Sequence, residues 1–209
     1  MGETSTRTFD VKTLFAGGRL CLDFVNTLCQ VRDVELELLG SPSELKRWLR
    51  SAETVTGQRL LGNDEEWEET GEEMLAQAIE LRTAIHSAVE SILLGLPAPA
   101  TAIEKLNSVL RANPAYPQIE YGQDGFKEAI SFNRPGDRWL TLIAQDAVDL
   151  LCRSDLSQMR QCECPTCIRF FLDTTKNHKR RWCVEKCGSA PKAAAYYRRK
   201  KAKVQGDSV

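Results

Sequence analysis

The sequence predicts a mainly α protein: a multi-helix N-terminal body with one small β-hairpin, followed by a small, cysteine-rich, basic C-terminal module. Three observations carry this reading. Apolar residues recur at helical spacing through most of the chain before Ser154. Five of the eight cysteines fall within 26 residues, 162–187. Charge is divided unevenly in a chain whose net charge is only −1. Between Arg160 and Lys203 thirteen Lys or Arg face three acids (Glu163, Asp173 and Glu185), a net of +10, which leaves −11 on the remainder. Such asymmetry points to a basic module, with a polyanion as its natural partner, joined to an acidic body.

The elements follow in order. Residues 1–10 are polar and are expected to be disordered. Arg19 to Leu28, RLCLDFVNTL, places Leu20, Phe24 and Leu28 at helical spacing with Val25 beside them. Ser41-Pro42-Ser43-Glu44 opens the next helix: Ser41 can cap it, Pro42 suits its first turn and Glu44 completes a capping box. A long helix is expected after Asn63-Asp64, running through Met74, Leu81, Ile85 and Val89 to a stop at Gly95. Pro99 starts a shorter one with Ile103, Leu106 and Leu110. Ile119 and Tyr121, the turn Gly122-Gln123-Asp124-Gly125, then Phe126, Ile130 and Phe132 read as the hairpin. Gly136-Asp137 opens the last core helix, and the body closes near Arg153-Ser154. The expected division is therefore a body over 11–155, a basic module over 158–203 and a tail over 204–209.

Some function classes are excluded at this level. No stretch approaches the eighteen apolar residues of a spanning helix, and the N-terminus has no apolar signal core, so a cytoplasmic protein is expected. Cys21, Cys29 and Cys152 lie apart in apolar surroundings and read as small buried hydrophobes. No Ser-His-Asp order, phosphate-cradling glycine loop or metal-ligand helix is present, GGR at Gly17 to Arg19 is too short, and His86 stands alone; an enzyme is not expected.

The remaining five cysteines carry chemistry. From Gln161 the chain reads QCECPTCIRFFLDTTKNHKRRWCVEKCGSA, two short cysteine pairs separated by a fifteen-residue loop between Cys167 and Cys183. That pattern suits one structural zinc ion held tetrahedrally by thiolates, because each tight turn aims two sulfurs at one point. A redox CPTC pair would be expected beside a parallel sheet, which nothing here announces. Four thiolates fill the tetrahedron and leave no position for a catalytic water. Spacing favours Cys164 with Cys167, while Cys162 offers a wider turn; Cys183 and Cys187 form the second pair.

Two segments resemble a known family. GGRLCLDFVNTL (Gly17 to Leu28) is similar to the opening of the ABATE domain, and FLDTTKNHKRRWC (Phe171 to Cys183) with Cys187-Gly188 is similar to the CGNR zinc finger. Bacterial proteins that pair the two are described as stress-induced transcription regulators. The resemblance implies a helical sensing or dimerisation domain followed by a zinc finger that engages DNA. It assigns the ligands to Cys162, Cys167, Cys183 and Cys187, with Cys164 as the alternative to Cys162. One departure matters: the chain has Cys187-Gly188-Ser189-Ala190 where the family has Cys-Gly-Asn-Arg. The metal-binding half of the signature is kept and its polar half is lost.

Double-stranded DNA is the expected partner of the basic segment. Lys176, Lys179, Arg180 and Arg181 lie on the loop between the cysteine pairs, and a helix expected from Pro191 brings Lys192, Arg198, Arg199 and Lys200. Their charges would neutralise phosphates and release counterions. Trp182 is expected to pack the finger and Asp173 to accept hydrogen bonds from its backbone. In the body, Arg19, Asp23, Asn26 and Arg82 are polar residues within apolar helical patterns. Asp23 and Arg82 can pair to fix two helices, or the four can floor a pocket for a small-molecule effector. A homodimer is compatible with this reading. The alternative function is a zinc-stabilised protein–protein interaction module without sequence-specific DNA binding.

Overall fold

A computed structural model describes residues 11–31, 34–62 and 64–189. The N-terminal ten residues, the tail and the helix expected after Pro191 lie outside these described residues, as do Lys192, Arg198, Arg199 and Lys200. The described chain is mainly helical, with three separate two-stranded antiparallel pairs.

A short turn of helix α1 (Val11–Leu14) leads to α2 (Leu20–Val25), whose six residues are all buried. The helix is a single apolar plug between α4 (Asp64–Leu93) and α6 (Arg138–Arg153). Arg19 supplies no side-chain cap; instead the Asp146 carboxylate of α6 accepts from the Cys21 N–H at 2.8 Å and pairs with Arg19 at 2.8 Å. A carboxylate at a helix N-terminus satisfies an otherwise orphaned donor.

The helix does not run on to Leu28. It ends at Asn26, and Leu28 begins strand β1 (Leu28–Val31), which pairs with β2 (Val34–Glu37). The spacing of Leu20, Phe24 and Leu28 is thus partly coincidental, because a strand residue can fall on a helical period. Helix α3 (Pro42–Thr56) begins as its capping box demands: Ser41 Oγ accepts from the Glu44 N–H at 3.3 Å. It stops at Gly57, whose φ of 70° is the left-handed cap that glycine adopts readily. Trp48 on α3 meets Phe24 with ring centroids 5.4 Å apart and stacks on Phe15 at 5.6 Å.

Helix α4 packs against α5 (Ala100–Ala112) and presents Met74, Ala78, Leu81, Ile85 and Val89 to the core. Strands β3 (Ala115–Gly122) and β4 (Gly125–Phe132) form the expected hairpin. After α6, strands β5 (Met159–Gln161) and β6 (Phe170–Leu172) pair antiparallel, and residues 185–189 are helical. Met159, Phe170 and Leu172 belong to the same apolar cluster as Leu22, Phe24, Ile85 and Trp139. The C-terminal strands therefore share the core of the helical body. Among the described residues no helix is long and apolar enough to cross a membrane.

Candidate metal centre

Strand β5 delivers Cys162, and the tight turn after it brings Cys167 back. The Cys162 N–H donates to the Arg169 carbonyl at 2.9 Å, and the Cys167 N–H donates to the Cys164 carbonyl at 2.9 Å. The second pair follows the basic loop, with the Cys187 N–H bonded to the Val184 carbonyl at 3.0 Å. The sulfurs of Cys162, Cys167, Cys183 and Cys187 converge, all within 4.8 Å of one another. Cys164 is not among them: it is buried, and its sulfur lies 3.6 Å from Thr166 Oγ1. The wider turn through Cys162, which the family resemblance favoured over the CPTC spacing, is the one that reaches the cluster.

The geometry suits zinc. A tetrahedron with metal–sulfur bonds of ~2.3 Å has edges of about 3.8 Å. Cys167 and Cys183 sulfurs are 3.6 Å apart and those of Cys183 and Cys187 are 3.7 Å apart. A disulfide would need about 2.05 Å. The Cys183 N–H donates to the Cys162 sulfur at 3.4 Å, a contact that favours thiolate there. Hydrogen bonds from the Cys167 and Cys183 thiols draw the Cys162 thiol down to about 2. The same bonds push Cys183 well above the ordinary thiol range, and burial pushes Cys187 up to about 12. Four thiols this close oppose one another's ionisation, and a divalent cation lets all four ionise. A zinc ion here supplies a structural cross-link between the two cysteine pairs.

Phe171 and Trp182 enclose the cluster. A Cβ at Gly188 would stand 2.9 Å from the Trp182 ring, so the residue after Cys187 must be glycine for the ring to lie against the last helical turn. Asp173 takes the expected structural role. Its Oδ1 accepts from the Thr175 N–H at 3.0 Å and hydroxyl at 2.6 Å, and its Oδ2 from the Arg180 N–H at 2.8 Å. Burial raises this carboxyl, but those bonds outweigh it and hold it below the ordinary range. Asp173 thereby closes the loop that displays Lys176 and Lys179, both exposed. Arg181 is exposed and pairs with Glu163.

Arg180 turns inward. Its guanidinium lies over the Phe171 ring at 4.4 Å and donates to the carbonyls of Trp182, Ala16 and Cys183. The bond to Ala16, at 3.0 Å, crosses to the body. Others cross with it. Arg169 is buried and donates to the Thr13 carbonyl at 2.6 Å, and the Leu172 N–H donates to the Gly17 carbonyl at 2.8 Å. Asn26 grips the backbone of Phe170 from both sides: Nδ2 donates to its carbonyl at 2.8 Å and Oδ1 accepts its N–H at 2.9 Å. His86 meets the Phe170 ring edge-on at 5.2 Å.

Each of the four polar residues of the body bonds to another part of the fold and not to one of the other three. Arg19 is paired with Asp146 and Asn26 with Phe170. Arg82 is not the partner of Asp23. It donates to Thr27 Oγ1 at 2.9 Å and to both carboxylate oxygens of Glu37, one at 2.6 Å. Burial raises Glu37, and the Arg82 bonds reverse this and hold it low. Asp23 accepts from the Gly17 N–H at 2.7 Å, and burial raises its carboxyl to about 7. A Cβ at Gly17 would stand 2.9 Å from Leu22 Cβ and 3.0 Å from Asp23 Oδ1, so this bond requires glycine. The GGRLCLDFVNTL segment thus builds a cradle for β6. The docking roles of Arg169 and Arg180 have no local signal in the sequence, because basic residues read as surface until their acceptors are known.

A cavity of about 310 Å³ lies elsewhere, between α4, α5 and α6, lined in part by Glu80, Lys105, Asn113, Arg134 and Asp137.

Two family models match the chain. One, described as "Putative stress-induced transcription regulator", covers residues 18–154; the other, the CGNR zinc finger, covers 158–200. Neither description names an enzyme. No curated protein matches. With a four-cysteine cluster of zinc dimensions in the matched finger and the family's opening segment cradling it, the chain belongs to the ABATE family and carries a CGNR zinc finger with a structural zinc ion.

Proposed function

We propose that the protein is a cytoplasmic transcription regulator that binds double-stranded DNA through its finger, with Cys162, Cys167, Cys183 and Cys187 as the zinc ligands. The observation that carries this reading is the loop closed by Asp173 beside the metal centre. It exposes Lys176, Lys179 and Arg181 in a segment with a net charge of +10 between Arg160 and Lys203. Lys192, Arg198, Arg199 and Lys200 extend that basic charge along the chain. Arg180 also holds the loop in place, its Nε and Nη2 donating to carbonyls of the chain. Effector sensing fits the cavity between α4, α5 and α6 better than Asp23, Asn26 and Arg82, whose hydrogen bonds are committed inside the fold. A homodimer completes the reading, since two-fold proteins read paired half-sites.

The test is selection of bound duplexes from a random pool with the zinc-loaded chain, at two salt concentrations. Binding that falls steeply with salt, and falls at all sequences alike when Lys176 and Lys179 or Arg198 and Arg199 become Ala, supports phosphate contact. No binding at low salt overturns the proposal. A second reading, a zinc-stabilised protein-docking module, is favoured by Ser189-Ala190 in place of the family's Asn-Arg. It predicts an intact finger with no duplex affinity.

A further inference from the structure

The β3–β4 hairpin has two unlike faces. Its register pairs Pro117 with Ile130, Ile119 with Glu128 and Tyr121 with Phe126. Because side chains alternate along a strand, these six share one face. Five of them are apolar, and Glu128 is the single charge. The opposite face carries Tyr116, Gln118, Glu120, Lys127, Ala129 and Ser131, four of them polar or charged besides the tyrosine and the alanine. Only the base of the apolar face, at Ala115 and Phe132, is partly covered. Further out Ile119 is 78% exposed, Tyr121 76%, Phe126 78% and Ile130 55%. The rings of Tyr121 and Phe126 lie 4.8 Å apart at the tip.

This arrangement is unfinished as a monomer. A lone two-stranded hairpin in water is marginal and needs a third strand or a packing surface. Among the described residues this sheet has two strands only, and no helix lies on the exposed end of its apolar face. Gly125, with φ of 93°, follows the turn residues Gln123 and Asp124 in the left-handed conformation and starts β4 opposite Gly122.

We propose that this face packs against the same face of a second copy across a two-fold axis, making the hairpin the dimer interface. The inference rests on the homodimer in the proposed function and names its surface. Area supports a second copy. Ile119, Tyr121, Phe126 and Ile130 together leave on the order of 500 Å² exposed, so two protomers would bury about 1,000 Å², near the lower bound for a specific interface. Chemistry supports it too. A two-fold contact needs a patch complementary to itself, and an apolar face with aromatic anchors meets that condition. Two copies would bring both Glu128 carboxylates towards one interface, so removal of that charge should tighten the contact.

The test is sedimentation velocity of the full zinc-loaded chain across roughly 1–100 μM, a range that spans ordinary dimer affinities. A reversible monomer–dimer equilibrium is expected. Ile119→Asp and, separately, Phe126→Ser should each weaken it at least ~30-fold, while Glu128→Ala should strengthen it. Circular dichroism melting of each variant tells loss of association from loss of fold. Should either weakening variant fail to fold, hydrogen exchange on the unaltered chain decides: amides of β3 and β4 should gain protection as concentration rises. A monomer at all concentrations, a dimer indifferent to Ile119→Asp, or weakening by Glu128→Ala would overturn the proposal. No DNA is present in this experiment, so its failure leaves the DNA reading standing.

Discussion

Replacing Asn26 with Ala tests whether the finger is truly built onto the body. The Asn26 side chain is buried and bonds both backbone polar groups of Phe170, at 2.8 and 2.9 Å. Alanine removes both partners at once and leaves a buried N–H and a buried carbonyl unpaired. Each orphan costs about 1–3 kcal/mol, so a loss of roughly 3 kcal/mol is expected after local relaxation. For a chain of this size that corresponds to a fall in Tm of about 6–12 °C. The assay is thermal unfolding of the zinc-loaded protein followed by circular dichroism at helical wavelengths. Hydrogen exchange on β6 supplies the local readout. Asn26→Asp should fall at least as far, since it keeps the acceptor but sets a carboxylate against the Phe170 carbonyl. A shift under ~2 °C for the alanine variant, with β6 protection unchanged, would refute the docking argument.

Three further predictions follow from the same geometry. Cys162→Ser should lose zinc by elemental analysis and Cys164→Ser should keep it; the reverse pattern would reassign the ligand set. Gly188→Ala forces a methyl to within 2.9 Å of the Trp182 ring, and a destabilisation of about 1–3 kcal/mol, with altered tryptophan emission, is expected; an unperturbed variant would mean that the ring is loosely held. Asp23 gives a pH signature. Burial, aided by nearby Asp146 against the Gly17 N–H and the charges of Arg169 and Arg180, raises its carboxyl from 3.8 to about 7. The native state then holds the proton more tightly than the unfolded chain, so this group's contribution to stability falls as pH rises from ~4 to ~7 and is flat outside that window. Asp23→Asn keeps the acceptor for Gly17 and removes the titration. Its stability relative to the parent should therefore grow by up to about 4 kcal/mol between pH 4 and pH 8, measured by urea unfolding. Comparison of the two proteins cancels any acid loss of zinc common to both. A constant difference would show that Asp23 titrates normally.

Much of the architecture was legible because its signals are local. Ser41 and Glu44 are three residues apart, Gly57 and Gly95 stop helices through their own φ, and the thiols announce a metal by spacing. What was illegible depends on partners distant in sequence. Asn26 and Phe170 are 144 positions apart, and nothing in Asn26 says whether it floors a pocket or holds a strand. Arg82 drew Glu37, not Asp23, because β2 delivers that carboxylate, and β2 itself was missed in a stretch too short to show alternation. Arg180 looks identical to Arg181 on paper. Packing on Phe171 and the Ala16 carbonyl sends one inward, while Glu163 meets the other at the surface. The choice between Cys162 and Cys164 was open on spacing alone, since either turn is sterically sound; the pairing of β5 with β6 settles which sulfur faces inward.

Met159, Phe170 and Leu172 sit in the apolar cluster of the helices. Cutting the chain after Arg153 would therefore not release two ready-made parts. The helical fragment would bare the groove that β6 fills, and the finger fragment would expose Phe170 and Leu172 to water. Both pieces should be sticky and poorly soluble when expressed alone. Chelating the metal from the intact protein loosens the β6 end of that shared cluster, so the helices of the body, α2 to α6, should melt earlier although none of them carries a ligand cysteine.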